Sequence, residues 1–149
     1  AKLGMKHRGS NFEYKRERAN DLMRAYHKLI EESSDINTMH IYKRVVNMPA
    51  SRFWISEGRA AIVIGALMRE EKPFGHNTIK REMYHEIFQR AQKIMKSNPE
   101  LNIIQVASLV VLQPAPKFYI TPSSAKVIIQ KAKKQWYEQR RKKLKHLFY

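Results

Sequence analysis

Apolar positions along the chain fall mostly into helical rather than alternating spacing. Leu22, Ala25, Tyr26, Leu29 and Ile30 sit at i, i+3, i+4, i+7 and i+8, the stripe of a helix with one face turned to a core. Met83, Ile87, Phe88, Ala91, Ile94 and Met95 repeat the pattern further on. These stripes predict helices over about 12–32 and about 78–96. Shorter apolar groups, Ile41 with Val45 and Val46, and the run Ile103 to Leu112, predict second helices over about 37–47 and about 103–112. Pro49 and Pro114 stop them, because the residue before a proline is pushed out of helical geometry. Ser33-Ser34-Asp35 and Ser97-Asn98-Pro99-Glu100 separate each long helix from its short neighbour.

A stiff connector follows each proline, ASRFWIS in one case and APKFYIT in the other. Ser56 and Thr121 then stand as N-caps, and Pro122 suits a first helical position, where no amide partner is lost. Ala60, Val63, Ile64 and Leu67 mark the inner stripe of a third helix, matched by Ala125, Ile128, Ile129 and Ala132.

The two halves correspond at a constant offset of 65 residues. Between Val45–Ile64 and Val110–Ile129, eight of the 20 positions are identical and five more are close exchanges, such as Arg52 with Lys117 and Trp54 with Tyr119. The offset extends outward without a gap: Leu22 falls on Ile87, Leu29 on Ile94, and Ile36-Asn37 on Leu101-Asn102. A tandem copy of one supersecondary unit explains this. The expected fold is therefore all-α, a tandem duplication of a three-helix, helix-turn-helix-like unit with a basic C-terminal helical extension. The corresponding divisions are a basic N-terminal arm at 1–11, repeat one at 12–70, a linker at 71–77, repeat two at 78–135, and a basic C-terminal helix or tail at 136–149.

Charge narrows the function. The 149 residues hold 29 Lys and Arg against 13 acids, a net of +16. Such a field attracts polyanions. Residues 131–149 alone carry eight basic residues against Glu138.

Several side chains are placed to meet a nucleic acid. In helix-turn-helix and homeodomain-like folds the third helix enters the major groove N-terminus first. Arg59 in the first copy, and Ser123, Ser124 and Lys126 in the second, lie just past the caps, where Arg or Lys can pair with guanine and Ser with bases or phosphates. The other reading is a third core helix whose exposed positions are charged for solubility, and the connectors are longer than a tight helix-turn-helix turn. Arg52 and Lys117 flank aromatic triplets, so Trp54 and Tyr119 are candidates for stacking on unpaired bases. The simpler reading of those triplets, and the one preferred, is Phe53 and Phe118 in the core with Ile55 and Ile120 stapling the third helix. Lys133, Lys134, Arg140, Arg141, Lys142 and Lys143 form a candidate phosphate clamp. Trp136, Leu144 and Leu147 recur near helical spacing and offer a surface for a protein partner through the C-terminal helix.

No catalytic constellation competes. Asp21 and Asp35 are the only aspartates, neither in a motif, and the six histidines lack ligand spacing. The expectation is no enzyme, no cofactor, no metal and no small-molecule substrate. The absence of cysteine removes thiolate sites and fits a reducing, cytoplasmic setting. No run approaches the ~18 apolar residues of a membrane span, and a membrane partner is not expected.

The runs NFEYKRERANDLMRAYHKLI, PASRFWISEGRAAIVI and QPAPKFYITPSSAKVII resemble a group of small basic proteins encoded in gut Bacteroidota and their mobile elements. That resemblance covers about Asn11 to the C-terminus and implies a bacterial or phage setting; it supplies no activity or site. The reading favoured by the residues is a binder of double-stranded DNA through two tandem units and a basic tail, in a regulatory or architectural role. An RNA-binding accessory subunit of a ribonucleoprotein and a structural subunit of a phage or mobile-element assembly are the alternatives.

Overall fold

The computed structural model describes residues 2–32 and 38–148, with side chains over 13–32 and 40–147. The chain is all-α, with α1 (Lys2–Glu32), α2 (Thr38–Val46), α3 (Glu57–Met68), α4 (Thr78–Ser97), α5 (Ile103–Val111) and α6 (Pro122–Phe148). Among the described residues the only β feature is an isolated antiparallel bridge between Ala50 and Ala115. The break at 33–35, residues Ile36 and Asn37, and Tyr149 lie outside the described residues.

Local chemistry sets the helix ends. Ser56 accepts from the Arg59 amide at the start of α3, and Asn77 from the Lys80 amide at the start of α4. Asn102 and Gln105 close a reciprocal capping box on α5, satisfying two amides that would otherwise lack partners. Thr121 Oγ1 accepts from the Ser124 amide at 3.1 Å and opens α6. One expectation changes: residues 2–11 are not a separate arm, because α1 is a single helix from Lys2. No proline interrupts that stretch, and extending a formed helix is far easier than nucleating a new one.

The 65-residue offset carries into the element bounds. Both ends of α2 and α5, the last residues of α1 and α4, and the first residues of α3 and α6 are each 65 apart. Six of the eight identical pairs in the repeated window are buried in both copies: Val45/Val110, Val46/Val111, Ala50/Ala115, Phe53/Phe118, Ala60/Ala125 and Ile64/Ile129. In α4 the core takes Tyr84 along with Met83, Ile87 and Ala91, while Phe88, Ile94 and Met95 are half-buried at its margin.

The compact units do not follow the order of the repeats. One unit joins the described residues up to Val46 with those from Thr121 onward; the other is the continuous stretch Asn47–Ile120. In unit 1, α6 packs on α1 and α2, and in unit 2, α3 packs on α4 and α5. Each third helix is thus housed with the first two helices of the opposite copy. The divisions 12–70 and 78–135 are divisions of sequence, and the folded bodies are drawn differently.

The connectors explain the exchange. The connector between α2 and α3 is ten residues long, too long for a tight turn, and it pairs with the second connector. Inside unit 2 the two connectors meet antiparallel: the Ala50 amide donates to the Ala115 carbonyl at 2.9 Å, and the Ala115 amide to the Ala50 carbonyl at 3.0 Å. Both alanines are buried, and a small side chain suits two backbones at this distance. The Phe53 amide adds a third bond, to the Val111 carbonyl at 3.0 Å.

A chain ending at Ile120 is expected to keep slow amide exchange in α3, α4 and α5 and to lose it in α1 and α2, which are left without α6. Hydrogen exchange followed by mass spectrometry reads this directly. Compactness in repeat order gives the reverse, with α1 to α3 protected and α4 and α5 open.

Candidate nucleic-acid interface

The exchange of helices redistributes charge. Unit 1 holds nineteen Lys and Arg against seven acids, a net of +12, whereas unit 2 holds ten against six, a net of +4. The positive field is concentrated where α6 joins α1 and α2. One acid there is already engaged: Arg24 donates to buried Asp21 through Nε and Nη2 at 2.9 and 2.8 Å.

α6 is 27 residues long and has two faces. Ala125 and Ile129 are buried against the unit's core, whereas every described residue from Lys134 onward is exposed. At ~100° per residue, Lys131, Lys134, Arg141, Lys142 and Lys145 fall within an arc of about 100° opposite that inner stripe. Ser123 and Ser124 lie on the same outer face at the helix start, and Val127 and Glu138 interrupt it. From Ser123 to Lys145 the face runs ~33 Å. Thr121 Oγ1 also donates to Ser124 Oγ at 2.9 Å, so the Ser124 side chain is held by the cap. Lys126 is exposed on the flank of α6.

Three expected clamp residues lie elsewhere around α6. Lys133 is half-buried, its Nζ donating to the Tyr26 hydroxyl and lying 4.2 Å from the centre of that ring, so it ties α6 to α1. Arg140 lies over Trp136 at 5.2 Å, and by helical spacing Arg140 and Lys143 fall beside the inner stripe. Beyond α6, Lys15, Arg16 and Lys28 on α1 and Lys43 and Arg44 on α2 are exposed within the same unit, the three on α1 spread around that helix rather than sharing one face. Their membership was hidden because they are distant from α6 in sequence.

The remaining candidates belong to unit 2 and are occupied with structure. Arg52 Nε donates to the Phe53 carbonyl and Nη2 to the Ile55 carbonyl, both at 3.1 Å, while its guanidinium covers Trp54 at 5.1 Å. One planar fork thereby braces its own connector, a geometry a lysine cannot copy. At the equivalent position Lys117 pairs with Glu82 at 3.0 Å. Arg59 is exposed in the first turn of α3.

Tyr119 stacks on Phe53, with ring centroids 6.1 Å apart and planes 13° from parallel. Arg90 covers Phe53 at 4.9 Å and reaches the second connector, donating to the Pro114 carbonyl at 2.7 Å. Tyr119 adopts φ 56°, a left-handed conformation uncommon for a bulky residue and a local cost to the fold. Arg81, Glu82, His85, Glu86, Lys117 and Tyr119 line a shallow groove, in which both signs of charge meet. Nothing about it selects a polyanion.

Burial, with Glu86 and Glu82 nearby, pushes the Tyr119 hydroxyl up to about 12. A free tyrosine titrates near 10, so the unfolded chain gives up this proton first. The stabilising effect is complete below about pH 10 and is lost as pH rises towards about 12. Thermal melts across that window are expected to fall more steeply for the wild-type chain than for Tyr119→Phe, and the variant is expected to lose a phenolate absorbance step at the top of that window.

Among the described residues no cluster of three or more His, Asp or Glu side chains is arranged to hold a metal ion. None of the described helices is long and apolar enough to cross a membrane. No family model matches the chain, and no curated protein or solved structure is similar to it.

Proposed function

We propose that the protein binds nucleic acid, with double-stranded DNA the favoured target, and that unit 1 is the binding module. The observation that carries this is the outer face of α6: a basic surface ~33 Å long in a unit of net charge +12. That length is close to one turn of B-DNA, and continuous basic helices of this kind lie in the major groove. The A-form groove of duplex RNA is too deep and narrow for a helix to read, which favours DNA. Lys15, Arg16, Lys43 and Arg44, exposed on the two helices that pack on α6, add to the positive field of the unit, which attracts phosphate without reading sequence. Ser123, at the groove-entering end, is the side chain best placed to touch bases, with Lys126 beside it.

On this reading the tandem helix-turn-helix-like design is realised with reciprocal third helices, each unit borrowing the helix of the other copy. Base stacking by Trp54 and Tyr119 receives less support, since one ring lies under Arg52 and the other against Phe53.

Fluorescence anisotropy with a labelled duplex and an RNA hairpin of equal charge, across a salt series, tests the proposal. The duplex is expected to bind more tightly. Substituting Lys134, Arg141, Lys142 and Lys145 by Gln is expected to flatten the salt slope for DNA by roughly 3–4 units, at ~0.9 per phosphate neutralised. Equal or tighter binding of the hairpin, or an unchanged slope in the variant, overturns it.

A further inference from the structure

Two groups of three exposed apolar side chains, each on one helix face, stand out among the described residues, apart from Ile62 and Met68 on α3. The first lies on the outer face of α5. Helix α5 carries no charged residue over its nine positions. It buries Val106, Ala107, Val110 and Val111, yet Ile104 is 67% exposed, Leu109 49% and Leu112 60%. At ~100° per residue these three share an arc of about 140°, with Ser108 and exposed Gln105 between them. The corresponding positions of α2 differ: Lys43, Arg44 and Asn47 stand where α5 has Ser108, Leu109 and Leu112. An outer helix face that is charged in one copy and apolar in the other marks an interaction surface.

The second surface is the continuation of the inner stripe of α6 past the core. Trp136, Leu144 and Leu147 fall within about 80° of one another on the same side as Ala125 and Ile129, and they are 53%, 47% and 77% exposed. The stripe is ~17 Å long and the α5 face ~12 Å. Their charges are complementary. Arg140 and Lys143 sit within the α6 stripe, whereas Ser108, in the middle of the α5 face, donates to the Glu57 carboxylate at 3.1 Å. Exposed Glu100 lies two residues before the Asn102 cap. Arg59, two residues beyond Glu57, lies about 200° round α3 and is directed away from it.

We propose that the chain associates with copies of itself head to tail, the stripe of α6 from one molecule seating on the outer face of α5 in the next. Like-on-like pairing is disfavoured by the same charges. Two α5 faces would bring Glu57 against Glu57, and two α6 stripes would oppose Arg140 and Lys143 with themselves. A heterologous contact leaves a free surface at each end and propagates unless it closes into a ring. The basic face of α6 points the opposite way, so the contact is independent of the nucleic-acid reading and is tested without nucleic acid.

Sedimentation equilibrium of nuclease-treated full-length protein is expected to give a weight-average mass that climbs with concentration beyond the 17.7 kDa of one chain and past twice that value. The double variant Leu109→Lys/Leu112→Lys lacks the acceptor, and Leu144→Glu/Leu147→Glu lacks the donor. Each is expected to remain at single-chain mass. Mixed together, each supplies the surface the other lacks, and they form a 1:1 pair that grows no further. Circular dichroism melts equal to wild type establish that both variants are folded; single substitutions Leu112→Lys and Leu147→Glu replace any double variant that melts early. A wild-type chain that stays at single-chain mass at every concentration overturns the proposal. So does folded variants failing to complement, or one variant self-associating alone as a like-on-like contact requires.

Discussion

The backbone pairing of Ala50 with Ala115 is the constraint from which the rest of the architecture follows. Two reciprocal hydrogen bonds join residues that occupy the same place in the two copies. Because the segments run antiparallel, each connector leads its chain past the other and delivers the following helix to the opposite copy. A proline precedes each paired alanine and an aromatic triplet follows it.

The copies secure this geometry by different means. In the first connector Arg52 caps two carbonyls and lies over Trp54, so the segment is braced from within. In the second, Lys117 is drawn off to Glu82, and the segment is held by Tyr119 in a left-handed conformation against Phe53, with Arg90 on that ring as well. The exchange of Arg for Lys and Trp for Tyr looks conservative in the sequence. In the fold it separates a self-braced connector from one clamped by α4.

Much of the architecture was legible in the sequence. The stripes headed by Leu22 and Ile87, the stops at Pro49 and Pro114, and the caps at Ser56 and Thr121 located helix ends to within a few residues. The extension of α1 to Lys2 was not legible, because the polar and basic residues before Phe12 carry no apolar stripe. The exchange of third helices was hidden for a more basic reason. The inner faces of α3 and α6 both present an alanine followed four residues later by an isoleucine, Ala60 with Ile64 and Ala125 with Ile129, so the local pattern does not distinguish their partners. Copies that keep the same inner pattern do not encode locally which of them supplies a given helix. The candidate site suffered in proportion. The basic run of α6 could be read directly, but that α1 and α2, with Lys15, Arg16, Lys43 and Arg44, belong to the same unit as α6 follows only from the fold.

The order in which the chain is synthesised and the order in which its parts close are consequently at odds. Residues of α1 and α2 leave the ribosome first, yet the helix that completes their core comes last. The contact between Tyr26 and Lys133 closes over 107 residues. Unit 2, made from one uninterrupted stretch, has all its helices available while α6 is still being translated. The N-terminal pair must meanwhile wait with Leu22, Val45 and their neighbours uncovered, a state that invites non-native association. Non-local closure of this kind is also slow. A chain that stops before α6 loses the packing partner of α1 and α2 as well, a cost out of proportion to the residues removed.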